Sequence, residues 1–301
     1  MKPHLSFLGS LFFALYFLFF PPSFLFAQGI SLQISPILYE TNASPGELKT
    51  ISDFEFFNPF DTPQKVKVKI QDIVISDETG GLQMIKESHS RYSLSRWVEV
   101  EPSSFTLGPK EHRTVDLKIK VPDNAEPGGH YGAIFGEVEP PTTKKDITGV
   151  SVRAGVVAPI LLIVRGPVSY SGEILEFKKI PFVNLGPVKF LIRFKNTGTV
   201  HYKPHGIIEI FDWFGRKVDV VTVRERRAFP QTIRQLPAVW NRKLLLGKYK
   251  AVATIWFGAE DERQDKAEIY FWAFPYKPLG VIIFVGLLLW LMGKIKKKLR
   301  Y

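Results

Sequence analysis

No cysteine occurs anywhere in the 301 residues. That excludes disulfides, a cysteine-based zinc site and a lipid-bearing N-terminal cysteine, so any folded region must be held by its hydrophobic cores alone. Catalytic signatures are missing as well: there is no glycine-rich phosphate loop, no His-Glu-x-x-His and no Gly-x-Ser-x-Gly. Histidine is sparse, with six residues in all: His4, His89, His112, His130, His201 and His205. His201 and His205 stand four apart, but Pro204 and Gly206 break the helix this spacing would need, and no carboxylate completes a ligand set. Glu137, Glu139 and Asp212 are carboxylates that nothing in the residue order places about a scissile bond. The expectation is a chain that is not an enzyme and carries no metal or cofactor. Helical periodicity is wanting too, until the C-terminal stretch.

Two apolar ends dominate what is present. Residues 5–27, LSFLGSLFFALYFLFFPPSFLFA, follow a single basic residue, Lys2. Together they read as a signal peptide over 1–27, with an apolar region around Leu11–Phe20 and a break at Pro21-Pro22. Cleavage is expected after Ala27, although Leu25 is not the small residue usual at that spacing; a retained N-terminal anchor is the other reading.

At the far end, Pro278–Gly293 holds no charge and covers ~24 Å as a helix, somewhat short of a ~30 Å hydrocarbon core. Lys277 and Lys294 flank it, Trp272, Phe274 and Tyr276 precede it, and KIKKKLRY follows. A transmembrane helix over 277–293 is therefore expected, with membrane flanks at Lys277 and Lys294 and a basic cytoplasmic tail over 294–301. The predicted localisation is a single-pass cell-membrane protein with a large extracytoplasmic N-terminal region. Six cations at the two ends account for much of the net charge of +11, and the stretch between carries only about +5. Nucleic acid is not an expected partner in that compartment.

Between the ends the periodicity is that of strands. Lys65–Ile70 (KVKVKI) alternates strictly, as do Thr114–Val121, Lys189–Phe194, Gly206–Phe211 and Tyr249–Phe257. Turn residues punctuate them at Ser44-Pro45-Gly46, Asp77–Gly81, Pro127-Gly128-Gly129 and Trp213-Phe214-Gly215. Many short strands with regular turns predict an all-β chain of sandwiches. A phrase written twice sets their number: Gly-x-Tyr-x-Ala occurs at Gly129–Ala133 and again at Gly247–Ala251. In immunoglobulin-like sandwiches a tyrosine near the start of the sixth strand bonds back across the preceding corner. Tyr131 and Tyr249 are read as such corners, one per domain. Phe56–Asn58 (FFN) and Phe194–Asn196 (FKN) form a second echo, each ending a strand early in its domain. The expected fold is two tandem immunoglobulin-like β-sandwiches, 28–166 and 167–275, with Val150–Gly166 as the closing strand pair of the first.

Two surface features are candidates for contact. Asp212–Arg216 (DWFGR) reads as a tight hairpin turn whose Trp213 and Phe214 could fill a partner's pocket or stack on sugar rings, with Arg216 beside them. The alternative packs Trp213 back onto its own domain or the domain junction. Arg224, Arg226 and Arg227, in RERR, make a basic stretch suited to an anionic polymer or to a solvated loop. The lysine faces of Lys65, Lys67, Lys69, Lys118 and Lys120 look like guards against edge-to-edge pairing.

With these residues assembled, the chain resembles the WxL-interacting protein family of bacterial cell-surface proteins. The run Trp97–Val138, with its Leu-Gly-Pro turn, alternating strand ending in Val-Pro, and Pro-Gly-x-x-Tyr-x-Ala-Ile, is similar to that family's peptidoglycan-binding domain. Asn196–Gly215 and Phe229–Ala251 are similar to its following domain. The resemblance implies a non-catalytic, membrane-anchored protein whose partners are a cell-wall polymer, peptidoglycan or anionic wall glycan, and a surface protein. The alternative function is a membrane-tethered, chaperone-like assembly factor for surface protein subunits, able to accept a strand from a partner.

Overall fold

A computed structural model describes residues 32–85, 90–139, 155–180, 186–243, 245–273 and 276–298. The expected signal peptide lies outside them. From Leu32 onward the chain forms one compact unit, and its described residues are all-β apart from a short 3-10 turn, Ser95–Trp97, and one C-terminal helix, α1 (Tyr276–Lys298).

Two sandwiches follow one another. The first packs a four-stranded sheet, β1 (Gln33–Ser35), β3 (Leu48–Phe57), β8 (His112–Lys120) and β6 (Val98–Glu101) in that spatial order, on a larger sheet. The larger sheet runs β2 (Tyr39–Ala43), β10 (Gly155–Val164), β9 (Gly128–Val138), β4 (Gln64–Ile75) and β5 (Leu82–Ile85), with β7 (Ser104–Leu107) also paired to β4. The second sandwich stacks β11 (Gly172–Lys179), β12 (Val188–Asn196) and β15 (Ile233–Trp240) on β14 (Lys217–Val223), β13 (His205–Phe211), β16 (Gly247–Phe257) and β17 (Arg263–Ala273). Of the expected closing strand pair, the described residues contain the single strand β10.

Alternation explains the layers. In β4, Val66 and Val68 enter the first core, while Lys65 and Lys69 lie on the other face and bond Glu139 and Glu137, each at 2.7 Å. Of the five lysine guards, Lys65, Lys69 and Lys118 are thus ion-paired, and the exposed pairs, Lys65–Glu139 and Lys118–Glu101, contribute little to stability. Phe54, Phe56, Leu117 and Ile119 meet Ile134, Ile160 and Leu162 from the facing sheet. The second core is built on Phe190, Phe194 and Trp240 against Ile208, Ile210 and Ile255. Each such side chain contributes roughly 1.5–3 kcal/mol by leaving water.

The repeated Phe-x-Asn unit has the same role twice. Asn58 and Asn196 are fully buried. Each amide nitrogen donates to the carbonyl four residues on, Thr62 and Val200, both at 2.9 Å, and each amide oxygen accepts from the backbone N–H two residues on, Phe60 and Gly198. Each also reaches a distant loop, Gly108 at 2.8 Å and Ala228 at 3.0 Å.

The expected transmembrane span is corrected. Helix α1 covers the stretch 277–293, yet among the described residues no helix is long and apolar enough to cross a membrane. The reason is length: the uncharged run ends at Lys294 after ~24 Å, below the ~30 Å required. The single-pass localisation and the role of Lys277 and Lys294 as membrane flanks go with it. Lys294 instead places its ammonium 4.4 Å from the centre of the Trp290 ring.

Candidate functional site

One strand of the first sandwich is covered on one side only over half its length. β10 pairs with β9 from Gly155 to Val164, whereas on its other side β2 pairs in parallel with Ile160–Val164 alone. The outer edge of Gly155–Pro159 therefore has no neighbour among the described residues. The cause lies in the N-terminal strand, which serves both sheets: β1 pairs with β3, then the chain crosses at Pro36–Leu38 and continues as β2 beside β10. Sheet edges are ordinarily blunted by charge. This one carries none in Gly155-Val156-Val157-Ala158-Pro159. Val157 is 44% exposed and Ile37, at the crossing, 80%. Pro159 lacks an N–H and occupies the edge position a strand allows it.

The junction between the sandwiches is tied at three places. In the middle, Tyr131 on the outer face of β9 packs edge-on against Phe229, with ring centroids 4.9 Å apart, and its hydroxyl shares a 3.2 Å hydrogen bond with His201 Nδ1. Burial pushes the Tyr131 hydroxyl up and holds His201 down at about 4. To one side, Glu78 in the β4–β5 turn accepts from Arg193 Nε at 2.8 Å and Gln235 Nε2 at 3.1 Å, and its carbonyl accepts from the Gln235 backbone at 2.8 Å. These bonds, led by that from Arg193, lower Glu78 to about 2. To the other side, Arg227 bonds Glu40. Asp72, also buried, orders the neighbouring segment by accepting from Ser93 Oγ at 2.7 Å and from the Leu94 and Ser95 backbones at 2.9 and 2.8 Å. No spacing in the chain announced Glu78, Asp72 or Gln235, because each acts on residues far away in sequence.

The two tyrosines of the repeated phrase face opposite ways. Tyr249 and Ala251 point into the second core, and the Tyr249 hydroxyl returns to Leu246 O at 3.3 Å. Tyr131 and Ala133 point away from the first core, toward the second sandwich. A Cβ on Gly129 would stand 1.8 Å from the Tyr131 hydroxyl, so the glycine is needed for this close approach. His130, beside Tyr131, is buried with its ring nitrogens against Ser93 O at 3.2 Å and Glu126 O at 3.0 Å.

The six candidate contact residues separate into three places. Trp213, Phe214 and Arg216 share the tip of the β13–β14 hairpin. Asp212 Oδ1 there accepts from the Phe214 and Arg216 backbones, both at 3.0 Å, and Gly215 adopts φ +78°. Trp213 and Phe214 are 68% and 70% exposed and pack on each other, while Arg216 lies 5.0 Å from the Phe214 ring centre. Trp213 also walls an outer-face cleft of about 510 Å³ with Glu209, Lys248, Lys250 and Tyr270. Arg224 and Arg226 line a different groove, between β14 and β15. Arg227 belongs to the junction.

No protein-family model and no curated protein matches the chain. Among solved structures, the class 5 fimbriae chaperone CfaA is similar with a TM-score of 0.42 and 12% identity, over 81% of this chain and 100% of its own. A chaperone–tip adhesin complex of CFA/I fimbriae gives 0.41 and 11%, over 81% and 98%. The CsuC–CsuE chaperone–tip adhesion subunit complex of Acinetobacter baumannii Csu pili gives 0.38 and 10%, over 79% and 98%. Likeness at this level assigns no partner to this chain.

The resemblance to the WxL-interacting family is corrected by these results, and peptidoglycan binding with it: no family model matches the chain. The physical reason is visible in the matched run. Phe105, Leu107, Val115, Leu117, Ile119, Val121 and Ile134 are all buried in the first core, so the motif describes a sandwich framework rather than a ligand surface.

Proposed function

We propose that this chain is a non-catalytic binding protein that captures an extended segment of a protein partner on β10, serving as an assembly factor for surface subunits. In this reading 28–166 and 167–275 are immunoglobulin-like modules, and residues 1–27 are the export signal that brings them to their partners. One observation carries it: the uncharged outer edge of Gly155–Pro159 continues the line along which β2 already pairs with β10. An added strand gains affinity from main-chain hydrogen bonds and selectivity from alternate side chains. Val157 and Ile37 give the apolar residues of such a strand a place to lie. A segment held there is kept from pairing with other chains, which is the service an assembly factor performs.

Hydrogen–deuterium exchange on the whole chain tests this, with synthetic peptides of about ten residues alternating valine and threonine as the probe. New protection is expected at those Gly155–Ala158 amides that point away from β9, and Val157→Lys should abolish it by placing a charge on the edge. Protection confined to other strands, or unaltered in Val157→Lys, would remove β10 as the acceptor.

A further inference from the structure

The second sandwich is laced on one open side and gaping on the other. On the laced side, Asp265 on β17 accepts the Ile174 backbone N–H of β11 at 2.6 Å, joining the two sheets. On the other, the edge strands β14 and β15 flank a groove of about 700 Å³. Its walls alternate apolar and polar groups: Val220 and Val239 are exposed, and Trp240 forms the floor with its indole N–H donated to Asp219 Oδ2 at 2.7 Å.

Positive charge is in excess around this groove, although Asp219 and Glu225 also line it. Arg224 and Arg226 line it, and Arg242 lies over the Trp240 ring at 5.8 Å. None of the three has an ion-pair partner among the described residues, while Arg193, Arg216 and Arg227 each have one. Of the carboxylates at hand, Glu225 pairs with Lys203 at 3.5 Å, and Asp219 accepts the neutral Trp240 indole N–H and keeps its charge, one anion against the three arginines.

The edges restrict how a ligand can lie. Pro237 offers no N–H on β15, and the Gln235 backbone N–H is taken by Glu78 O. Asp219 Oδ1 accepts the Val220 N–H on β14. Continuous strand addition is therefore blocked, and recognition falls to side chains. We infer that the β14–β15 groove is a docking site for an acidic, extended peptide segment, whose carboxylates meet Arg224 and Arg226 and whose apolar side chains lie between Val220 and Val239. Guanidinium forks match carboxylates in bidentate geometry, which suits a peptide bearing Asp or Glu at alternate positions. This site goes beyond strand capture at β10 and does not depend on it.

The test uses the whole chain and fluorescein-labelled peptides of about eight residues, alternating glutamate or lysine with valine. Anisotropy reports affinity, and the indole N–H resonance of Trp240 reports place. The glutamate peptide should bind and shift Trp240, weaken roughly tenfold in Arg224→Gln/Arg226→Gln, and bind Val157→Lys as it binds the parent. Arg224→Gln alone, at an exposed position, should show an intermediate loss with unchanged thermal unfolding. Equal binding of glutamate and lysine peptides, or of parent and double variant, would overturn the site. So would inorganic polyphosphate binding with the same arginine dependence and at least equal affinity, because the groove would then read charge and not a peptide. Loss of binding in Val157→Lys alone would move the acidic peptide to β10 and overturn it too.

Discussion

Tyr131 of the first sandwich and His201 of the second share one hydrogen bond, 3.2 Å long, inside the buried junction. Neither ring has bulk water to fall back on. Burial keeps the imidazole neutral down to about 4, against an ordinary value of 6.5. In the window between those values the unfolded chain binds the proton and the folded one does not, so stability falls as the pH drops. The full difference amounts to about 3 kcal/mol. His201→Phe should flatten this part of the profile in urea unfolding followed from neutral pH to about pH 4. Identical slopes in parent and variant would show that the acid sensitivity arises elsewhere.

Removing the phenol oxygen tests the same contact from the other side. Tyr131→Phe should destabilise the protein by about 1 kcal/mol, and by less when His201→Phe is already present, since the two changes remove one bond. A double-mutant cycle by chemical denaturation measures this directly. Full additivity would mean that the 3.2 Å contact is not a coupled one.

Asn58 and Asn196 each satisfy backbone groups of two separate segments. Asn58→Ala or Asn196→Ala should therefore lower stability by about 2–3 kcal/mol each, through stranded carbonyl and amide groups. Thermal unfolding of each variant checks it. A loss below about 0.5 kcal/mol at either site would show that water replaces the side chain there.

Two tryptophans of the second sandwich, Trp213 and Trp240, make a matched pair. Trp240, 2% exposed, should lose about 3–5 kcal/mol on replacement by alanine, whereas Trp213→Ala should stay within about 0.5 kcal/mol. Equal destabilisation would place Trp213 in a core rather than at an exposed tip.

Gly215 stands at φ +78° with nothing within 4 Å of where a Cβ would be. Gly215→Ala should cost about 1 kcal/mol through backbone strain alone. Gly215→Asn should recover part of it, because asparagine tolerates the left-handed region. No change in either variant, read by unfolding midpoints, would show that the turn relaxes.

Much of the strand plan was legible because its causes are local. Alternation in Lys65–Ile70, Lys189–Phe194 and Tyr249–Phe257 names residues that must share a face, and all three stretches are strands. The Asp212–Arg216 turn was legible for the same reason, since aspartate and glycine fit its geometry by their own chemistry. The C-terminal helix shows the limit of such reading. An apolar run flanked by lysines names a helix readily, but its length decides whether that helix can cross a membrane.

The binding surfaces were less legible. Arg224, Arg226 and Arg227 sit within one short stretch, yet two line a groove and the third bonds Glu40 across the junction. Valine and alanine at 156–158 look like any core strand; among the described residues their edge is open because β2 stops at the register of Ile160.

The repeated Gly-x-Tyr-x-Ala phrase shows where local order ends and assembly begins. Its spacing guarantees that tyrosine and alanine fall on one face of a strand, and in both copies they do. Which face meets the strand's own core depends on neighbouring strands and on the second sandwich. Period-two alternation distinguishes two faces but carries no label for inside or outside. Tyr249 was drawn into its own core and Tyr131 into the junction because apolar surface was available for burial there, and that surface exists only once the whole chain has folded.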